Sequence, residues 1–157
     1  MDDGQYADRV FINCPFDKAY SPTLDLVTFC IIACGFSPIS AKGELDSGEP
    51  RFIKLMRLIK SCRYGIHDIS RIELGKQRLP RFNMPLEPGL DLGCRYSGSR
   101  KFAAKKTLIL DREQYRYRKF ISDLSGLDIA EHRNAPDKAM VNVSINGDGA
   151  DFWLRPH

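Results

Sequence analysis

A chain of 157 residues is long enough to bury a real core and too short for two comfortable domains. Hydrophobic residues at 43%, charged residues at 28%, nine Phe and six Tyr exclude a disordered tail. The net charge of +4 would help hold an anion such as a phosphate, but the chain lacks the dense Lys/Arg face that general nucleic-acid binding requires, so a nucleic-acid partner is not favoured.

In chain order, "MDDGQYADRV" is acidic and polar, unlike a secretory signal, and no apolar run approaches the length of a membrane span; a cytoplasmic protein without membrane association is expected. "RVFINC" (9 to 14) is a β-rich run ended by Pro15, read as the first and central strand. From Pro22, a proline suited to a helix start, "TLDLVTFCIIAC" is apolar almost all round and stops at Gly35, which predicts a buried helix. "FSPISA" (36 to 41) reads as a second strand that Pro38 pushes to a sheet edge. "KGELDSGEP" follows as a polar loop able to reach a ligand.

Phe52, Leu55, Met56 and Ile59 fall at i, i+3, i+4 and i+7 and predict an amphipathic helix ending near Cys62. "YGIHDIS" (64 to 70) supplies a third strand. "RIELGKQRLPRFN" is a long basic connection with Arg71, Lys76, Arg78 and Arg81, and long loops in compact domains tend to be functional or mobile. "PLEPGLDLGC" reads as a short helix and "KKTLILD" (105 to 111) as a fourth strand. Tyr117, Phe120, Ile121 and Leu124 repeat the helical spacing, with Tyr117 and Phe120 on the core face and the basic residues of "REQYRYRKF" solvated. After "GLDIAEHRNAPDK" (126 to 138) the signal fades. Residues 126–157 read as an extension of a single domain whose core is 9–125, and "VNVSINGDGADFWLRPH" as a fifth strand or a loose tail.

Alternating β-like and helical runs predict an α/β fold of the flavodoxin-like kind: a parallel sheet of four to five strands with helices on both faces. Five cysteines, odd in number and without a CxxC pair or a His at ligand spacing, read as reduced core thiols, and no metal site is expected. In open α/β sheets a ligand lies beyond the carboxyl ends of the strands, at the switch point of strand order. That rule gathers Asn13, Cys14, Pro15, Phe16 and Asp17 from the first strand, His67, Asp68 and Ser70 from the third, and Asn83 and Glu87 from the loop before the short helix. Phe16 and Phe82 are available to stack on a base. His67, alternating with Ile66 and Ile69, is better read as a packed histidine than as a base, and Cys14 as a buried thiol.

"VFINCPFD", "HDIS" and "PRFNMPLEPGLDLG" followed by "KKTLILD" resemble, in this order and spacing, the group that joins nucleoside 2-deoxyribosyltransferases and TIR-like nucleotide-hydrolysing domains. The resemblance spans residues 9 to about 111. It implies cleavage or exchange of the N-glycosidic bond of NAD or another nucleotide, as substrate rather than cofactor, and in bacterial relatives a setting of anti-phage defence. It implies self-association to complete the site. Glu87 matches the family's catalytic glutamate, Asp68 its ligand-contacting aspartate, Asn83 the loop residue before the glutamate, and Phe16 the aromatic bordering the pocket.

The departure is Pro88, where relatives carry leucine. A helix that began at Pro88 would make Glu87 its cap residue, extended, with a carboxylate able to fold back onto backbone N–H groups. An enzyme, a non-catalytic nucleotide-binding or signalling module, and an interaction domain sharing only the fold are the three readings this leaves.

Overall fold

The computed structural model describes residues 3–43, 48–73 and 80–144. After a short helix α1 (Asp3–Asp8), which the sequence reading did not foresee, the elements are β1 (Arg9–Asn13), α2 (Ser21–Ala33), β2 (Ser37–Ile39), α3 (Arg51–Lys60), β3 (Tyr64–Asp68), α4 (Asn83–Ser97), β4 (Lys106–Asp111), β5 (Ala130–Glu131) and α5 (Pro136–Ser144). The five strands are all parallel, in the order β2-β1-β3-β4-β5. The fold is therefore a three-layer α/β domain of flavodoxin-like strand order. β3, not β1, is the middle strand. The chain moves from β1 outward to β2, then returns to β3 on the other side of β1, so the switch point lies between the carboxyl ends of β1 and β3.

Strand alternation sends successive side chains to opposite faces. Val10 and Ile12, Tyr64 and Ile66, and Leu108 and Leu110 pack with Val27, Cys30 and Ile31 of α2 and with Ala139 and Val143 of α5. On the other face, Phe11 packs with Leu55, Leu58 and Ile59 of α3 and Cys94 of α4, while Ile109 packs with Ile69, Met84 and Tyr117. β2 forms the edge, with Pro38 opposite Val10, as its proline predicted.

α2 ends as its glycine suggested. Gly35 takes a φ of +82°, its N–H bonds the Ile32 carbonyl at 2.9 Å and the Phe36 N–H the Ile31 carbonyl at 3.0 Å, a Schellman closure. The helix is not buried all round, however. α5 covers one side of it, and Phe29 and Ile32 remain 66% and 58% exposed.

Three further expectations are corrected. The helix over Tyr117–Leu124 is two 3-10 turns, Arg116–Lys119 and Ser122–Leu124. Tyr115 enters them in the left-handed region (φ 61°), and Arg116 turns inward, its Nε and Nη2 reaching Asp111 Oδ1 at 2.9 and 2.7 Å and its Nη2 the Ile69 carbonyl at 2.8 Å. Tyr117 is buried but Phe120 is exposed. The presumed extension carries β5 and α5, whose Ala139 and Val143 are fully buried, so 126–144 belongs to the packed fold. The fifth strand is Ala130–Glu131, and residues 141–144 are helical; the remainder of the stretch read as strand or tail lies outside the described residues, as do Lys76, Arg78 and part of the 42–50 loop.

All five cysteines are free thiols, four of them buried. No helix among the described residues is long and apolar enough to cross a membrane.

Candidate functional site

The short helix expected at 85–94 is a fifteen-residue helix, Asn83–Ser97, and this overturns the cap reading of Glu87. Pro88 lies inside the helix, and Glu87 is in its second turn. A proline there removes the N–H that would bond the carbonyl of Met84, four residues back, and its ring crowds the same carbonyl. The orphaned oxygen is served from another element: Asn13 Nδ2, at the end of β1, donates to the Met84 carbonyl at 3.2 Å. Both groups are buried, with Asn13 2% exposed and Met84 3%. A tertiary hydrogen bond thus replaces a helical one, and the helix runs through its proline.

This exchange makes a prediction. Asn13→Ala should cost about 1–3 kcal/mol, the penalty of a buried acceptor left bare. In a Pro88→Ala background the restored N–H can take the Met84 carbonyl, so the same substitution should cost markedly less. Denaturant unfolding of the four proteins measures the coupling, and additive effects would show that Asn13 does not substitute for the missing bond.

Met84, Glu87, Pro88, Asp91 and Cys94 form the buried stripe of α4 that faces the sheet. Two carboxylates therefore sit one helical turn apart against the strands. Asp91 is fully served: His67 Nε2 lies 3.1 Å from its Oδ2, Thr107 Oγ1 donates to Oδ2 at 2.9 Å, and the Lys105 ammonium is 2.9 Å from Oδ1. Because an ionised carboxylate only accepts, the His67 proton facing it sits on Nε2. Burial pushes the Asp91 carboxyl up, but the hydrogen bond and charge of His67 and the Lys105 ammonium outweigh it and hold the group below the ordinary range. Gly65 makes room for this cluster: a Cβ there would come within 2.2 Å of Asp91 Oδ2. His67, fully buried, is thus a packed histidine with a structural partner.

Glu87 has no such partner. It is 5% exposed, and among the described residues nothing hydrogen-bonds or ion-pairs with its carboxyl. Desolvation raises its pKa from 4.5 to about 7, only partly opposed by the charge of Arg51 at the start of α3. The other buried acids, Asp68, Asp91 and Asp111, are all engaged.

Asp68 accepts from Tyr20 Oη and from the Ser70 N–H at 2.7 Å, and His132 Nε2 stands 3.1 Å from its Oδ2. The Asn134 N–H donates to His132 Nδ1 at 3.1 Å, which leaves the imidazole proton on Nε2, toward the carboxylate. Burial opposes ionisation of Asp68, yet His132 above all, with Ser70 and Tyr20, holds its pKa below normal. The shape of this carboxylate network rests on Tyr20 and His132, which sequence reasoning missed. No local pattern marks either one, since Tyr20 reaches Asp68 across 48 residues of chain.

The remaining expected site residues divide by position. Pro15 is buried behind the end of β1. Phe16 is 39% exposed, with the Lys42 ammonium 5.5 Å from its ring centre. Asp17 receives the Tyr20 N–H at 3.1 Å, Arg71 Nη1 at 2.6 Å on the same Oδ1, and Arg81 Nη1 at 3.5 Å on Oδ2. Ser70 Oγ is buried and has no hydrogen-bond partner among the described residues. Asn83 is exposed in the first turn of α4, its amide directed to Met84 Sδ at 3.8 Å. The Cys14 thiol is pushed far up by burial and by the surrounding Asp68, Glu87 and Asp17, with Lys42 opposing, which leaves it inert as a nucleophile and places those four charged groups around one point at the end of β1. Phe82, 70% exposed, flanks the start of α4.

The carboxyl ends of β1 and β3 thus gather, at the switch point, one buried carboxyl that no described residue engages and that burial raises toward neutrality, with exposed aromatics and cations about it. Among the described residues no three His, Cys, Asp or Glu side chains are grouped to hold a metal ion. Compared with models of known protein families the chain matches none, and no curated protein matches it.

Proposed function

We propose that the protein is a nucleotide-binding N-glycosidase that hydrolyses the bond between ribose and base in NAD or a related nucleotide, with Glu87 as its catalytic carboxylate. The observation that carries this reading is the contrast within α4: Asp91 is surrounded by partners, while Glu87, also buried and one turn nearer the amino end of the helix, has none among the described residues, and burial raises its pKa to about 7. A buried carboxyl kept without a partner is unfavourable for folding, and such groups concentrate where chemistry needs them.

As the base departs with the bonding electrons, positive charge grows on the sugar ring, and an ionised carboxylate beside it stabilises the oxocarbenium ion or bonds to its anomeric carbon; water then completes hydrolysis. Phe16 and Phe82 are suited to stack on the base and the exposed Asn83 to contact the ribose, with Asn13, Asp68 and Ser70 buried behind them at the strand ends. The resemblance in motif order suggests a cytoplasmic enzyme that self-associates and serves in bacterial defence.

Incubation with NAD and a panel of nucleosides and nucleotides, at low and high protein concentration, should release free base, and Glu87→Gln should abolish the release while leaving the fold intact. Because the ionised form acts, kcat/KM should rise with pH through about 7 and then level off. Nucleotide binding without base release from the wild type would instead favour the non-catalytic binding module.

A further inference from the structure

The cations beside the end of β1 bear on substrate class. Arg71 follows β3 and Arg81 precedes α4, and Asp17 of the β1 loop bridges them, at 2.6 Å to Arg71 Nη1 and 3.5 Å to Arg81 Nη1. One carboxylate between two guanidiniums leaves a net positive charge. Each guanidinium has five N–H donors, and among the described residues Asp17 is the hydrogen-bonding or ion-pairing partner of both, so most of their donors remain open. They are 34% and 43% exposed, hence accessible, while Asp17 holds them in place.

Arg71 is further held over the Tyr20 ring, 5.9 Å from its centre, and Tyr20 Oη is bonded to Asp68. The bridge is therefore tied through Tyr20 to the buried Asp68 at the end of β3. Lys42, against Phe16, adds a further cation around the same strand end.

We infer that the Asp17-bridged pair Arg71 and Arg81 is a phosphate clamp, so that the crevice takes phosphorylated nucleotides in preference to free nucleosides. Planar guanidiniums with free N–H edges match the oxygens of a phosphate monoester or diester, and a guanidinium oriented in advance loses less freedom on binding. The inference rests on the nucleotide reading of the crevice, while specifying what that reading leaves open.

The test is calorimetric titration with the four ribonucleosides and their 5′-monophosphates, paired with chromatographic detection of free base. The monophosphate of any base that binds should bind at least tenfold tighter than its nucleoside, with an advantage that shrinks as salt rises. Arg71→Gln and Arg81→Gln should each reduce that ratio threefold or more with nucleoside affinity nearly unchanged; Lys106→Gln, at an exposed cation that opens β4 on the amino-end side of the sheet, should not alter it. Arg71→Lys should retain part of the advantage, since it keeps the charge and loses the fork. If Arg71→Gln does not fold, Arg81→Gln, at the looser contact, gives the reading.

Equal affinity for nucleoside and monophosphate, or a ratio that both glutamine variants leave unchanged, would overturn the clamp. Preferential binding of monophosphates with no base released would uphold the clamp and sink the glycosidase. Nucleosides cleaved as fast as monophosphates would do the reverse. Absence of binding by every probe overturns both.

Discussion

Asp91→Asn should lower the unfolding free energy by about 3–5 kcal/mol, although it changes one oxygen into an amide nitrogen. The substitution keeps the shape and removes the charge that Lys105, 2.9 Å away and fully buried, depends on. Lys105 also donates to the carbonyls of Ile59 and Cys62, so it cannot swing out to water without breaking the end of α3. A buried cation stripped of its partner carries the whole desolvation cost, which is why breaking one side of such a pair is far worse than removing both. The double variant Asp91→Asn/Lys105→Met should accordingly lose less than Asp91→Asn plus Lys105→Met taken separately. Denaturant titrations at pH 7 decide it, and a loss under about 1 kcal/mol would mean that Lys105 is compensated without Asp91. The pH dependence has a defined sign. The folded pKa of Asp91 lies below the unfolded 3.8, so its stabilisation is complete above that value and disappears as pH falls through the folded one.

Glu87 gives the opposite slope in a different window. Its folded pKa of about 7 lies above the unfolded 4.5, so between these values the native state holds more protons than the unfolded chain, and stability falls as pH rises. At about 1.4 kcal/mol per pH unit the loss is capped near roughly 3 kcal/mol, complete by about pH 8. Glu87→Gln cannot ionise and should remove this decline: variant and wild type should be similar near pH 4, and the variant the more stable near pH 8. Superimposable stability profiles from pH 4 to 8 would contradict the burial argument directly. A gain in stability accompanied by loss of base release would place the carboxyl among groups retained for chemistry at the expense of the fold.

The first four strands and the switch point were legible because strand alternation and the amphipathic spacing of α3 are local signals, and the parallel topology follows from their alternation with helices. The edge position of β2 was legible in Pro38 and the end of α2 in Gly35. Pro88 was misread for a reason that is equally physical. Local rules place a proline in the first turn of a helix, but the donor that makes it tolerable in the second turn is Asn13, 71 residues earlier in the chain. The 3-10 turns after Tyr115 had the spacing of a helix, and the pull of Asp111 on Arg116 overrode it. Asp91 and His132 escaped notice because a buried charge network is defined by which side chains meet, and adjacency in sequence carries none of that.

The bond from Asn13 to Met84 also makes the opening of α4 depend on the end of β1. The opening of α4 contains Pro85 and Pro88 and has no side-chain cap at its amino end, so its own residues do little to start it. An isolated peptide of residues 80–97 should show helix toward its carboxyl end and very little at its beginning. In the folded protein the end of β1 supplies the bond that the first turns lack. Glu87 lies in those turns, so its raised pKa does not belong to its segment of chain. It arises from burial in the folded protein and lapses whenever that corner opens.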